Sequence, residues 1–268
     1  MRPAAPPRDH VPPPPDQTER DPTRRFSQRV ADYVRYRPHY PSGVLDLLRE
    51  GIGLTPQTLI ADVGSGTGLA TELFLGNGNP VWAVEPNPEM RAAAERRLGG
   101  RANFRSVDGT AEATTLPAAS VDGVVAAQAF HWFDPEKTRA EFRRILRAGG
   151  WVVLMWNTRV VTTPFGHAYE SLLQSLGGDY ARVTHEHLDQ TVLGGFFAGG
   201  FQRRTLPNGR TLDFDSLRGG LRSASYAPSE GQAGYAPMLE KLRRIFDAHQ
   251  RDGRVRVELE TRLYFGRV

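Results

Sequence analysis

The chain has 268 residues, no cysteine and a formal net charge of +4. That length suits one domain with embellishments, and the missing cysteines exclude disulfides, thiolate metal sites and a cysteine nucleophile. The positive charge is carried almost wholly by arginine, in pairs such as Arg96-Arg97 on expected helices. No basic stripe is interleaved with aromatics, so a nucleic-acid partner is not expected.

Residues 1–23 contain eight prolines and few large apolar groups, and are expected to be a disordered tail. No run approaches the ~18 apolar residues of a membrane span. The N-terminus lacks the apolar core of a secretory signal, so a cytoplasmic location with no membrane partner is expected. Residues 24–268 read as one domain. Phe26 to Tyr40 follow roughly helical spacing and are stopped by Pro38 and Pro41. Ser42 is the expected N-cap of a helix carrying Val44, Leu45, Leu47 and Leu48.

Strand and helix then alternate. Strands are expected at 58–63, 80–85, 102–107, 120–127 and 150–156, with helices near 68–76, 88–98 and 135–147. Gly149-Gly150 is read as the stop of the last helix. Apolar strands separated by helices indicate a parallel sheet covered on both faces. Beyond Thr158, helices are expected at 164–177, 184–190 and 236–249. Strands are expected at 201–206 and at 255–265, where Val255, Val257, Leu259, Thr261, Leu263 and Phe265 alternate.

The most telling stretch is Asp62-Val63-Gly64-Ser65-Gly66-Thr67-Gly68, an apolar strand ending in an acid and followed by alternate glycines. Such a loop lets backbone approach a ligand before entering a helix. Glu85, at the end of the next strand, is placed to accept from two ribose hydroxyls. The third glycine falls at Gly68, one residue short of the dinucleotide pattern. Asp62 would repel a pyrophosphate and suit a cationic ligand such as a sulfonium with its ammonium. The competing reading of Asp62 is an N-cap for the next helix.

These residues resemble the class I S-adenosylmethionine-dependent methyltransferases, closest to the type 11 small-molecule group that includes trans-aconitate and ubiquinone-biosynthesis enzymes. The similarity rests on the Gly64–Gly68 block, Val84-Glu85-Pro86-Asn87, Gly109-Thr110-Ala111-Glu112 with Leu116-Pro117, Ala129-Phe130-His131-Trp132-Phe133 and Arg147-Ala148-Gly149-Gly150. The resemblance implies a Rossmann-like, doubly wound, mostly parallel seven-stranded α/β sheet. An antiparallel C-terminal strand pair, 201–206 with 255–265, would close it, and helical lid insertions would flank it. It divides the domain into a cofactor-binding core with an N-terminal lid at 24–157 and acceptor-side insertions with the closing strands at 158–268.

The resemblance also assigns residues. S-adenosyl-L-methionine would meet Asp62, Gly64, Ser65, Gly66, Gly68, Glu85, Pro86 and Met90. The adenine edge would meet Thr110, Ala111 and Glu112. Gln128 and Ala129 would flank the cofactor, and Arg37 with Tyr40 would hold its carboxylate. Met90 reads equally as helix core. His131 ends the fourth strand and is the candidate general base or a structural residue. A small-molecule acceptor, flat or hydrophobic, would lie among Tyr33, Tyr36, Phe130, Trp132, Trp156 and Asn157. His167, His185 and His187 show no ligand spacing, and no metal is expected. An NAD-dependent oxidoreductase and a non-catalytic cofactor-binding module remain the alternatives.

Overall fold

The computed structural model describes residues 30–176, 190–197 and 199–268. The proline-rich N-terminus and most of the helix expected at 184–190 lie outside the described residues. In chain order the first elements are α1 (Val30–Tyr36), α2 (Gly43–Ile52), β1 (Ile60–Val63), α3 (Leu69–Gly76), β2 (Val81–Val84), α4 (Pro88–Leu98) and β3 (Phe104–Val107). Then come β4 (Val121–Ala127), a 3-10 turn (Phe130–Trp132), α5 (Pro135–Ile145), β5 (Leu146–Arg159), α6 (Pro164–Gln174) and α7 (Gln190–Phe196). The chain ends with β6 (Phe201–Pro207), β7 (Arg210–Leu212), α8 (Phe214–Arg222), α9 (Tyr235–His249), β8 (Val255–Val257) and β9 (Leu259–Gly266).

Seven strands form one sheet in the order β3-β2-β1-β4-β5-β9-β6. The first five are mutually parallel, and β9 runs antiparallel to both β5 and β6. The period of a strand sends alternate residues to opposite faces. Thus Val124, Ala126, Val152, Leu154 and Trp156 join one buried layer with Phe142 and Phe196. Val125, Val153 and Met155 join the other with Leu48 and Phe74. A third apolar cluster unites α6, α8, α9 and β8 through Leu172, Leu217, Leu242 and Val257.

Three expectations change. The alternating tail is two strands: β8 pairs with β7 in a separate two-stranded ladder, and only β9 joins the large sheet. Inward positions continue in step across the break, Val255 and Val257 before it and Thr261 and Leu263 after, so alternation could not reveal it. Gly149 and Gly150 do not stop a helix. Helix α5 ends at Ile145, and the glycines lie in an irregular start of β5, where pairing with β4 slips between Val121 and Gly123. Gly149 has φ +81°, and a Cβ on Gly150 would meet two carbonyl oxygens at 3.0 Å. Ser42 precedes α2 but makes no side-chain cap bond; Gly53, at φ +71°, closes the other end.

Candidate active site

A cavity of about 680 Å³ lies beyond the carboxyl ends of β1, β2, β4 and β5. Its volume falls within the range of roughly 300–1,000 Å³ usual for small-molecule pockets. The glycine loop forms one wall. Gly64, Gly66 and Gly68 all have positive φ, at +68°, +56° and +84°. They do different work. A Cβ on Gly64 would lie 2.7 Å from Ala129 Cβ, and one on Gly68 would lie 2.6 Å from Leu98 Cδ1. A Cβ on Gly66 would meet nothing nearer than Met90 Sδ at 3.5 Å. Gly64, Ser65 and Gly66 line the cavity, whereas Gly68 seats the loop on α4 and does not.

Glu85 sits at the mouth of β2, buried and lining the cavity. Its Oε2 accepts from Gly66 N–H at 2.8 Å and its Oε1 from Asn87 N–H at 2.9 Å. Burial raises its pKa, and those two backbone donors oppose the rise. A carboxylate accepts about four hydrogen bonds, so each oxygen retains a lone pair for a diol. Ser65 Oγ and Arg37 Nε are buried and have no hydrogen-bond partner among the described residues. An acid with spare acceptors and unpartnered polar atoms beside it fit an adenosyl ligand bearing hydroxyls and an amino-acid head. Met90, buried beneath Gly66, and Pro86 complete that wall.

Asp62 is not at the entrance. It is fully buried and absent from the cavity wall. Its Oδ2 accepts from Thr71 Oγ1 at 2.5 Å, and the Thr71 backbone also bonds to it. Thr71 is the third residue of α3, so Asp62 caps that helix from behind the loop. Burial pushes its carboxyl up to about 7, and Oδ1 has no partner among the described residues. The charge-selection argument from sequence therefore loses its geometry: a residue facing the helix cannot screen ligands at the mouth.

The segment Gly109 to Thr114 is held from below. Thr114 donates through both N–H and Oγ1 to Glu141 Oε1, at 2.8 and 2.5 Å. Thr110 Oγ1 accepts from Ala113 N–H at 3.2 Å, which occupies one of its lone pairs locally. Thr110, Ala111 and Glu112 all line the cavity. Glu112 Oε1 also accepts from Asp134 N–H at 3.0 Å, tying this segment to the start of α5.

At the ends of β4 and β5 the sequence reading splits. Gln128, Ala129, His131, Trp132 and Asn157 line the cavity; Phe130 and Trp156 do not. The 3-10 turn drives Phe130 into the core, with its ring 4.6 Å from that of Phe196. Trp156 points to that same layer, and its indole N–H donates to His131 Nδ1 at 3.3 Å. Asn157 is committed to structure. Its Nδ2 donates to Pro38 O at 3.1 Å, and its Oδ1 accepts from Thr261 Oγ1 at 2.6 Å and Asn208 Nδ2 at 3.0 Å. Gln128, at φ +57°, donates from Nε2 to Asn157 O at 3.0 Å.

Opposite lies the N-terminal segment, where Tyr33, Tyr36, Arg37 and Tyr40 all line the cavity. Arg37 lies over the Tyr33 ring at 4.9 Å and donates to Ser223 O at 3.1 Å. Burial pushes the Tyr40 hydroxyl well above its ordinary range. Sequence reasoning missed Arg210, Tyr169, Tyr226 and Leu217, which close this end. They come from α6, β7, α8 and the segment after it, carry no motif, and reach the site only through tertiary packing. His167 also lines the cavity, and among the described residues no three His, Asp or Glu are grouped as a metal would need. His185 and His187 lie outside the described residues.

Residues 61–154 match the family model described as a methyltransferase domain. Residues 61–154 carry a methyltransferase domain. An uncharacterized methyltransferase of Mycobacterium tuberculosis is 38% identical over 146 residues, 53% of this chain and 56% of that relative. One from Mycolicibacterium gilvum is 34% identical over 174 residues, 62% of this chain and 63% of its own. The matches thus span little more than half of those relatives. Among solved structures, a candidate type II methyltransferase from Anaeromyxobacter dehalogenans aligns with a TM-score of 0.65 at 24% identity, covering 87% of this chain and 98% of its own. The Haemonchus contortus phosphoethanolamine N-methyltransferase 2, solved with S-adenosylhomocysteine, aligns with a TM-score of 0.54 at 14% identity, over 89% of this chain and 56% of its own. These likenesses establish the fold. In this chain β9 runs antiparallel between β5 and β6, where the dinucleotide fold continues in parallel in the order 3-2-1-4-5-6. None of the helices described is long and apolar enough to cross a membrane.

Proposed function

We propose that the chain transfers the methyl group of S-adenosyl-L-methionine to a small molecule with a flat or hydrophobic body, as in secondary metabolism. The observation that carries this reading is the continuity of one cavity. Gly66, Glu85, Met90 and Ala111 lie at its nucleoside end, and His131, Tyr33, Tyr169 and Tyr226 line its wall toward the lid. Bound there, the cofactor supplies an electrophilic methyl carbon. The chain's own part is orientation and exclusion of water. Glu85 would hold the ribose hydroxyls, the Gly64–Gly66 backbone the methionine portion, and Arg37 the carboxylate. Asn157 and Asn208 grip the carbonyls of Pro38 and His39, which keeps the N-terminal segment over the cavity.

Calorimetry tests the reading. S-adenosylhomocysteine should bind and NADH should not, and Glu85→Ala should weaken the former by roughly 1–3 kcal/mol, the cost of losing a charged hydrogen-bond partner. Tight NADH binding with no uptake of S-adenosylhomocysteine would reject it. Retained cofactor affinity with no turnover on any acceptor would favour a non-catalytic binding module.

A further inference from the structure

We propose that the acceptor is a carboxylic acid with an apolar body, anchored by Arg210 and methylated on a carboxylate oxygen. The inference rests on the transferase reading above and names its substrate class. Three arginines line the cavity: Arg37, Arg159 and Arg210. Arg159 is matched by Glu170 at 3.2 Å. Neither Arg37 nor Arg210 has an acidic partner among the described residues. The cofactor has a single carboxylate, which accounts for Arg37. Arg210 is left over.

Arg210 is held for such a role. Its Nη1 donates to Tyr36 O at 2.8 Å, which fixes the guanidinium beside the peptide that leads into Arg37. That is the one hydrogen bond of its side chain among the described residues, so most of its guanidinium donors are available. It is half-buried, and desolvation holds its pKa below the ordinary arginine value. A partly desolvated cation without a counter-ion is costly, and an oxyanion on its fork removes that cost. Around it the wall is apolar or aromatic: Leu212, Leu217, Val257, Leu259, Tyr169 and Tyr226. An organic acid with a hydrocarbon or aryl body matches that combination.

The chemistry makes no demand on His131 as a base. His131 Nδ1 already accepts the Trp156 N–H. A carboxylate needs no deprotonation at neutral pH. A lone pair on its oxygen attacks the methyl carbon, the C–O bond forms as the C–S bond breaks, and the bonding pair returns to sulfur. Anion and sulfonium become an ester and a thioether, and no proton moves.

The test uses the full chain loaded with S-adenosylhomocysteine and titrated with trans-cinnamate, 4-phenylbutanoate and octanoate, each against its primary amide. At least one acid should bind about tenfold more tightly than its amide, the worth of one charge-assisted pair. That preference should vanish in Arg210→Gln and survive in part in Arg210→Lys. Both variants should unfold cooperatively and keep their affinity for S-adenosylhomocysteine. With S-adenosyl-L-methionine, the preferred acid should yield its methyl ester. No acid outbinding its amide, or a preference that persists in Arg210→Gln, overturns the proposal. Failure of S-adenosylhomocysteine to bind is scored before any acid is added; it rejects the transferase reading itself.

Discussion

Trp156 donates its indole N–H to His131 Nδ1 across 3.3 Å, from inside the core to the cavity wall. Indole nitrogen is a donor only, so Nδ1 is the acceptor. The neutral ring then carries its proton on Nε2. In that form His131 does not take a proton at Nδ1. His131→Gln should therefore keep kcat within about tenfold of the parent. A loss of kcat of about a hundredfold or more at unchanged KM would restore His131 as a base. His131→Ala should spare cofactor affinity by calorimetry.

Asp62 should make stability depend on pH. Its folded pKa, about 7, lies above the ordinary 3.8, chiefly through burial. The folded protein therefore binds this proton more tightly than the unfolded chain does. The resulting stabilisation is full below pH 3.8 and is lost as pH rises to about 7. Asp62→Asn keeps an oxygen acceptor for Thr71 without the charge. Relative to the parent, it should gain stability between pH 5 and pH 8 in urea unfolding. A pH-independent difference would show that Asp62 does not titrate in this range.

Glu141 has the opposite sign. Its hydrogen bonds to Arg144 are the main cause that lowers its pKa from 4.5 to about 2, aided by Thr114. Its contribution is present above pH 4.5 and is lost as pH falls toward 2. Glu141→Gln should cost about 1–3 kcal/mol at pH 7, the usual loss for charged hydrogen bonds. Because Glu141 holds Thr114, cofactor affinity should fall too. Stability unchanged at pH 7 with a persisting acid transition would remove Glu141 from that support.

Gly219 lets α8 lie against Tyr36, since a Cβ there would overlap the phenol ring from Cγ to Cε2. In an exposed helix, Gly→Ala would gain about 1 kcal/mol from propensity. Here overpacking, about 1–3 kcal/mol, should win. Gly219→Ala is expected to lower the thermal midpoint and to displace the Tyr36 carbonyl from Arg210. A raised midpoint would mean that the helix slides aside at no cost.

Much of this protein was legible in sequence because the signals are local. The strands from Ile60 to Ala127 announce themselves by short apolar runs, and the Gly64–Gly68 loop by three residues that take positive φ. Glu85 needed only its place at a strand end. Tertiary structure alone decided what depends on rotation about one residue or on distant segments meeting. The 3-10 turn aims Phe130 inward while its neighbour His131 lines the cavity, although both are aromatic and adjacent. Asp62 turned toward Thr71, nine residues on, because a helix start with glycine as its cap needs an acceptor. Arg210 reached Tyr36 across 174 residues by the packing of β7 on the N-terminal segment. Strand period and turn chemistry are written residue by residue, whereas the partner of a buried charge is chosen by whichever element folds against it.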